Sequence, residues 1–111
     1  MTKHCIRLET RSITDRDSFF NEFSNLMGFP DFFGRNWDAW IDCMRSLDDA
    51  SEGMTKMTLL PGELLHIEIK DAKMFAKRLP DVFEHFIGCT AFVNQSRVEI
   101  GKHPVLSLIL L

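Results

Sequence analysis

Asp38 and Asp42 stand four residues apart in the stretch FFGRNWDAWIDCM, residues 32–44. On a helix that spacing puts both carboxylates on one flank. Two kinds of chemistry can use such a pair. Neighbouring carboxylates can push their pKa values apart and divide general acid from general base work. Alternatively, both stay ionised and meet the cationic groups of a partner. The first use needs companions that this chain lacks, because it carries no Gly-rich phosphate loop and no nucleophile elbow. His4, His66, His85 and His103 are scattered, without H-x-x-x-H or H-E-x-x-H ligand spacing. Cys5, Cys43 and Cys89 include no C-x-x-C pair, so reduced, mostly buried thiols are expected rather than a disulfide framework or a zinc site. No enzyme, cofactor or metal is expected, and the carboxylates read as a binding feature.

Charge distribution supports a binding role. Phe29 to Glu52 holds six acids against two bases, a net −4 within a chain whose total is −3. Such a segment repels phosphate backbones and steers a basic partner toward it, which argues against nucleic acid as the ligand.

The elements that must position the acids follow from periodicity. At 111 residues, 45% of them hydrophobic and ten of them Phe, the chain fits a single domain, residues 1–111, with one packed core. HCIRLE alternates as a half-buried strand. TDRDSFFNEFSNLM follows as a helix with Thr14 as its N-cap and Phe19, Phe20, Phe23, Leu26 and Met27 on one side. After Pro30 and Gly34, Asn36 caps a second helix, Trp37 to Leu47, whose Trp37, Trp40, Ile41, Met44 and Leu47 face inward. Residues 48–63 read as a long loop. LLHIEI is a second strand, with Asp71 as the cap of a short helix over AKMFAKRL. Pro80 opens a longer helix, Asp81 to Glu99, with Phe83, Phe86, Ile87, Thr90, Val93 and Val98 as its apolar stripe. PVLSLILL closes as a third strand. Two right-handed crossovers between parallel strands put every helix on one sheet face. The other face is left to the polar alternates Arg7, Glu9, His66, Glu68 and Ser107.

The motif also resembles a known family. FFGRNWDAWIDCM is similar to the aromatic-aromatic-Gly-x-Asn-x-Asp-Ala-x-x-Asp-Cys segment of the barstar family of bacterial ribonuclease inhibitors, and the element order fits across nearly the whole chain. The resemblance implies an α/β, barstar-like two-layer fold: a three-stranded parallel sheet with about four helices on one face. It implies an immunity protein whose acidic loop and helix plug the active site of a basic, extracellular-type ribonuclease. By that resemblance Asn36 and Trp37 match interface loop positions. Asp38 and Asp42 match the interface aspartates, with Asp42 reaching deepest. Phe32 matches an aromatic contact position, without the hydroxyl a tyrosine there would add. Ile41 and Leu47 stand where the family can carry Trp, and Arg45 where it can carry Thr. Glu99 is the nearest candidate for an acid the family uses on its last helix. Arg45 departs in charge from what a basic enzyme would meet, and leaves open a non-catalytic interaction module with another partner or with its own copy. A monomer or weak homodimer is expected. No apolar run reaches the roughly 20 residues of a membrane span, and the polar N-terminus lacks a signal-peptide core, so the expected compartment is the cytoplasm.

Overall fold

Alternation of Leu65, Ile67 and Ile69 with His66 and Glu68 builds the central strand of the sheet, β2 (Leu65–Ile69). The computed structural model describes residues 4–111, so the first three residues of the polar N-terminal stretch lie outside the described residues. β1 (His4–Leu8) and β3 (Leu106–Leu110) pair with β2 on either side, both parallel to it. Register places Ile6, Ile67 and Leu108 in one row, while Arg7, Glu68 and Ile109 form a row of the opposite face. On that face the Arg7 Nε donates to Glu68 Oε1 at 2.9 Å, an opposite-charge pair across neighbouring strands. Strands joined in parallel need long crossovers, and here each crossover carries two helices. They are α1 (Arg16–Met27) and α2 (Trp37–Arg45) in the first, α3 (Ala72–Arg78) and α4 (Pro80–Glu99) in the second. The result is the expected two-layer α/β fold.

Phenylalanine fills the space between the layers. Phe19, Phe20, Phe23, Phe75 and Phe86 are fully buried, as is Trp40. Phe19 meets Phe86 edge-on at 5.1 Å between ring centroids, and Trp40 meets Phe23 at 5.6 Å. Such edge-to-face contacts add to the burial of large apolar area.

Several local expectations are corrected. The N-cap of α1 is Asp15, not Thr14: the Asp15 carboxylate accepts from the Ser18 N–H, and the Ser18 hydroxyl accepts from the Asp15 N–H in return. This reciprocal capping box satisfies two free amides, which a single Thr hydroxyl cannot do. Asp71 is no side-chain cap; its backbone is left-handed (φ 52°) and its carboxylate bonds no helix amide. The Ala72 N–H instead donates to the Leu111 carbonyl, so the end of the sheet satisfies the start of α3. α2 stops at Arg45, two residues short of the expected Leu47, although Leu47 is buried. The stripe of α4 runs through Val82, Phe86, Thr90, Val93 and Arg97, whereas Ile87 and Val98 are exposed. Residues 48–63 contain one 3-10 turn, Ala50–Glu52, and are tied to the helical layer by backbone bonds. Lys56 N–H donates to the Met27 carbonyl at 2.9 Å and Leu59 N–H to the Leu47 carbonyl at 2.7 Å. Among the described residues, no helix is long and apolar enough to cross a membrane.

Candidate partner-binding site

The approach to α2 is a rigid aromatic turn. Phe33 N–H donates to the Pro30 carbonyl at 2.9 Å, and the Phe33 ring lies 4.7 Å from Phe29 and 5.8 Å from Phe20. Arg35 takes a left-handed conformation (φ 55°) that redirects the chain into the helix. Asn36 then does what its type and place dictate. Its Oδ1 accepts from the Ala39 N–H at 2.8 Å and its amide donates back to the Gly34 carbonyl at 3.3 Å. Phe32 points away from this turn and is 78% exposed.

Within α2 the inward side holds as expected. Trp40 is fully buried, and Trp37 and Ile41 are half-buried against the core. Trp37 leans on Phe20 at 4.9 Å and stacks on the His85 ring of α4 at 5.9 Å. That anchoring leaves Asp38 and Asp42 exposed side by side on the outer flank. Neither belongs to an ion pair among the described residues. Asp38 lies in the first turn, where the helix dipole favours an anion.

The thiols nearby are quiet. Burial, reinforced by the adjacent Asp42 carboxylate, pushes the Cys43 thiol up to about 11. Burial and then Asp38 push the Cys89 thiol up as well. Cys5 is exposed, contrary to the expectation of mostly buried thiols, and none of the three is in a disulfide. A free thiol of raised pKa stays protonated and unreactive at neutral pH.

The far end of α2 is held by Arg97, which the sequence gives little reason to single out. Its side chain is 4% exposed. One Nη donates to the Arg45 carbonyl at 2.8 Å, the other pairs with Asp48 at 2.6 Å, and Nε donates to the His103 carbonyl at 2.8 Å. The guanidinium beside Asp48 holds that carboxyl below the usual carboxylate range. Asn94 fixes the start of β3, accepting from the N–H groups of Val105 and Leu106 and donating to the Leu106 carbonyl. The legible signal for Arg97 was its spacing, since 86, 90, 93 and 97 repeat on one helix face.

The candidate residues therefore divide. Phe32, Asn36, Trp37, Asp38, Ile41 and Asp42 form one continuous stretch from the turn through α2. Arg45 ends it, half-buried beside a depression of about 410 Å³ that Asp42, Asp48, Asp49, Glu52 and Lys102 also line. Glu99 stands apart from the pair. Its carboxylate accepts from Gln95 on its own helix at 3.1 Å, while His85, Phe86 and Arg97 are among the α4 residues that meet α2. Among the described residues, no group of three or more His, Cys, Asp or Glu could hold a metal ion.

A flank bearing two carboxylates without ion-pair partners among the described residues, presented by a helix that a buried tryptophan fixes, is suited to meeting cations. No curated protein matches the sequence. A family model described as Barstar (barnase inhibitor) matches residues 3–106. With that match spanning nearly the whole chain and the parallel three-stranded fold in place, the chain belongs to the Barstar family.

Proposed function

We propose that this protein is a ribonuclease inhibitor that occludes the active site of a basic, barnase-like enzyme and performs no chemistry of its own. The observation that carries the reading is the pair Asp38 and Asp42, both exposed and without an ion-pair partner among the described residues. Carboxylates held in that way stand in for substrate phosphates at a cationic active site. Phe32, Asn36, Trp37 and Ile41 surround them, and Arg45 and Glu99 complete the contact set at its edge. The protein works in the cytoplasm as a monomer or weak homodimer, as the immunity half of a toxin and antitoxin pair.

Arg45 favours one alternative. A base in the last turn of α2, on the same exposed edge as Asp42, fits a non-catalytic module whose partner is a protein other than a ribonuclease, or a second copy. One assay separates the readings. At equimolar ratio, the protein should suppress RNA cleavage by barnase competitively with RNA while showing no RNA turnover alone. Unchanged cleavage at saturating inhibitor would count against the ribonuclease reading.

A further inference from the structure

Ten phenylalanines occupy this chain, and the core takes nearly all of them. Phe19, Phe20, Phe23, Phe29, Phe75 and Phe86 are buried, and Phe33 and Phe83 are packed partly against them. Two stay out in solvent: Phe32 at 78% exposure and Phe92 at 54%. Phe32 precedes α2 and already belongs to the candidate surface. Phe92 lies 50 residues beyond Asp42 in sequence, on the helix that packs alongside α2.

The geometry is that of two helices running side by side in the same direction. Trp37 at the start of α2 stacks on His85, and Arg45 at its end receives Arg97. His85, Cys89 and Phe92 follow one another at i, i+4 and i+7, so they share one flank of α4. His85 fixes that flank as the one bordering α2. Phe92, between the levels of His85 and Arg97, stands beside the middle of α2, where Ile41 and Asp42 lie. A helix flank that leaves a benzyl ring in water is disfavoured unless something covers it. Exposed single apolar residues are common, but this one lies on the α4 flank that His85 sets against α2, the helix that carries Asp38 and Asp42.

We propose that Phe92 is the second aromatic anchor of the partner-binding surface, and that Phe92 with Asp42 receives an arginine side chain of the basic partner, its guanidinium paired to the carboxylate and stacked on the ring. This inference rests on the inhibitor reading above. Guanidinium is the cation of choice because its planar, weakly hydrated face stacks on aromatic rings while its edge pairs with carboxylate. An ammonium can do the second and does the first less well. Aromatic side chains beside a desolvated charge pair are also where binding energy concentrates in protein interfaces.

The test is the binding of barnase to the unmodified protein and to Phe92→Ala, Phe92→Trp, Asp42→Ala and Val98→Ala, followed by stopped-flow association and dissociation. Val98 is equally exposed on the opposite flank of α4 and serves as the control. Phe92→Ala should raise the dissociation rate at least tenfold and leave the salt dependence of association unchanged. Phe92→Trp should retain binding, and Val98→Ala should match the unmodified protein. Circular dichroism and urea midpoints should agree across the set, since none of the three substituted residues is in the core. If Asp42→Ala weakens binding while Phe92→Ala does not, the Phe92 inference is overturned and the inhibitor reading stands. If neither variant matters, or the unmodified protein does not bind barnase, both are overturned.

Discussion

Asp42 is where the proposed binding role is most cleanly separable from folding. It lies past the first turn, is exposed and caps nothing. Asp42→Ala should therefore shift stability by no more than about 0.5 kcal/mol, as surface substitutions do. A carboxylate buried against partner cations is different, because its truncation leaves those charges unpaired at a cost of about 2 to 5 kcal/mol in binding. Paired urea titration and binding measurements on the one variant check both halves. Equal affinity for barnase would remove Asp42 from the interface. Trp40 is the structural counterpart. Fully buried, it should lose about 3 to 5 kcal/mol of stability on Trp40→Ala. Its indole Nε1 has no hydrogen-bond partner among the described residues, and a buried unpaired donor carries a penalty of about 1 to 3 kcal/mol. Trp40→Phe removes that donor along with some volume, so its cost should come out well below that of Trp40→Ala in the same titration.

At the scale of elements, the join between α2, α4 and the segment before β3 depends on Arg97, and its pairing makes stability depend on pH. Asp48 has its folded pKa depressed, chiefly by the Arg97 hydrogen bonds. A carboxyl in that condition stabilises the fold above its unfolded pKa of about 3.9, and that stability is lost as pH falls through the folded value. Arg97→Met should abolish this contribution and also strip the Arg45 and His103 carbonyls of their donor. With Asp48 still 27% exposed to water, the loss at pH 7 should be about 2 to 3 kcal/mol, below that of a fully buried pair. Urea midpoints at pH 7 and pH 3 should differ less in the variant than in the unmodified protein. The same element shows where sequence reading ends. Strands and helices announced themselves through alternation and apolar spacing, and Asn36 through a capping type just ahead of a stripe. Arg97 did not, because a base near a helix C-terminus looks like a solvated charge complementing the dipole. Only the arrival of Asp48 and the Arg45 carbonyl from distant chain makes it a buried strut, and those contacts span 49 and 52 residues. Val98 is the reciprocal case: its apolar side chain suggests a place in the stripe, but the phase of Phe86, Thr90 and Val93 gives that face to position 97. Thr14 and Asp15 are adjacent capping types, and only the contacts with Ser18 show that Asp15 is the one that completes the reciprocal pair.

For the whole molecule, the segregation of charge decides how a partner arrives. The segment from Phe29 to Glu52 carries a net −4, and the remainder carries +1. The fold exposes Asp31, Asp38, Asp42, Asp49 and Glu52 of that segment while consuming Asp48 internally, so the field outside is concentrated on the α2 side. A basic protein approaching from solution is drawn to that side before any contact forms. Salt shortens the reach of this attraction to roughly 10 Å at 0.1 M. The association rate constant with barnase should fall steadily as ionic strength rises, toward the roughly 10⁵ to 10⁶ M⁻¹s⁻¹ of unsteered pairs. Dissociation should respond much less, because contacts within the complex are shielded from solvent ions. Replacing Asp49 and Glu52 together by Asn and Gln, at the far side of the depression that Asp42 borders, should lower the association rate at low salt and change dissociation less. Stopped-flow traces across a salt series, taken alongside light scattering to hold the oligomeric state fixed, read both constants at once. An association rate indifferent to salt would mean that the partner meets a face of the molecule other than the acidic one.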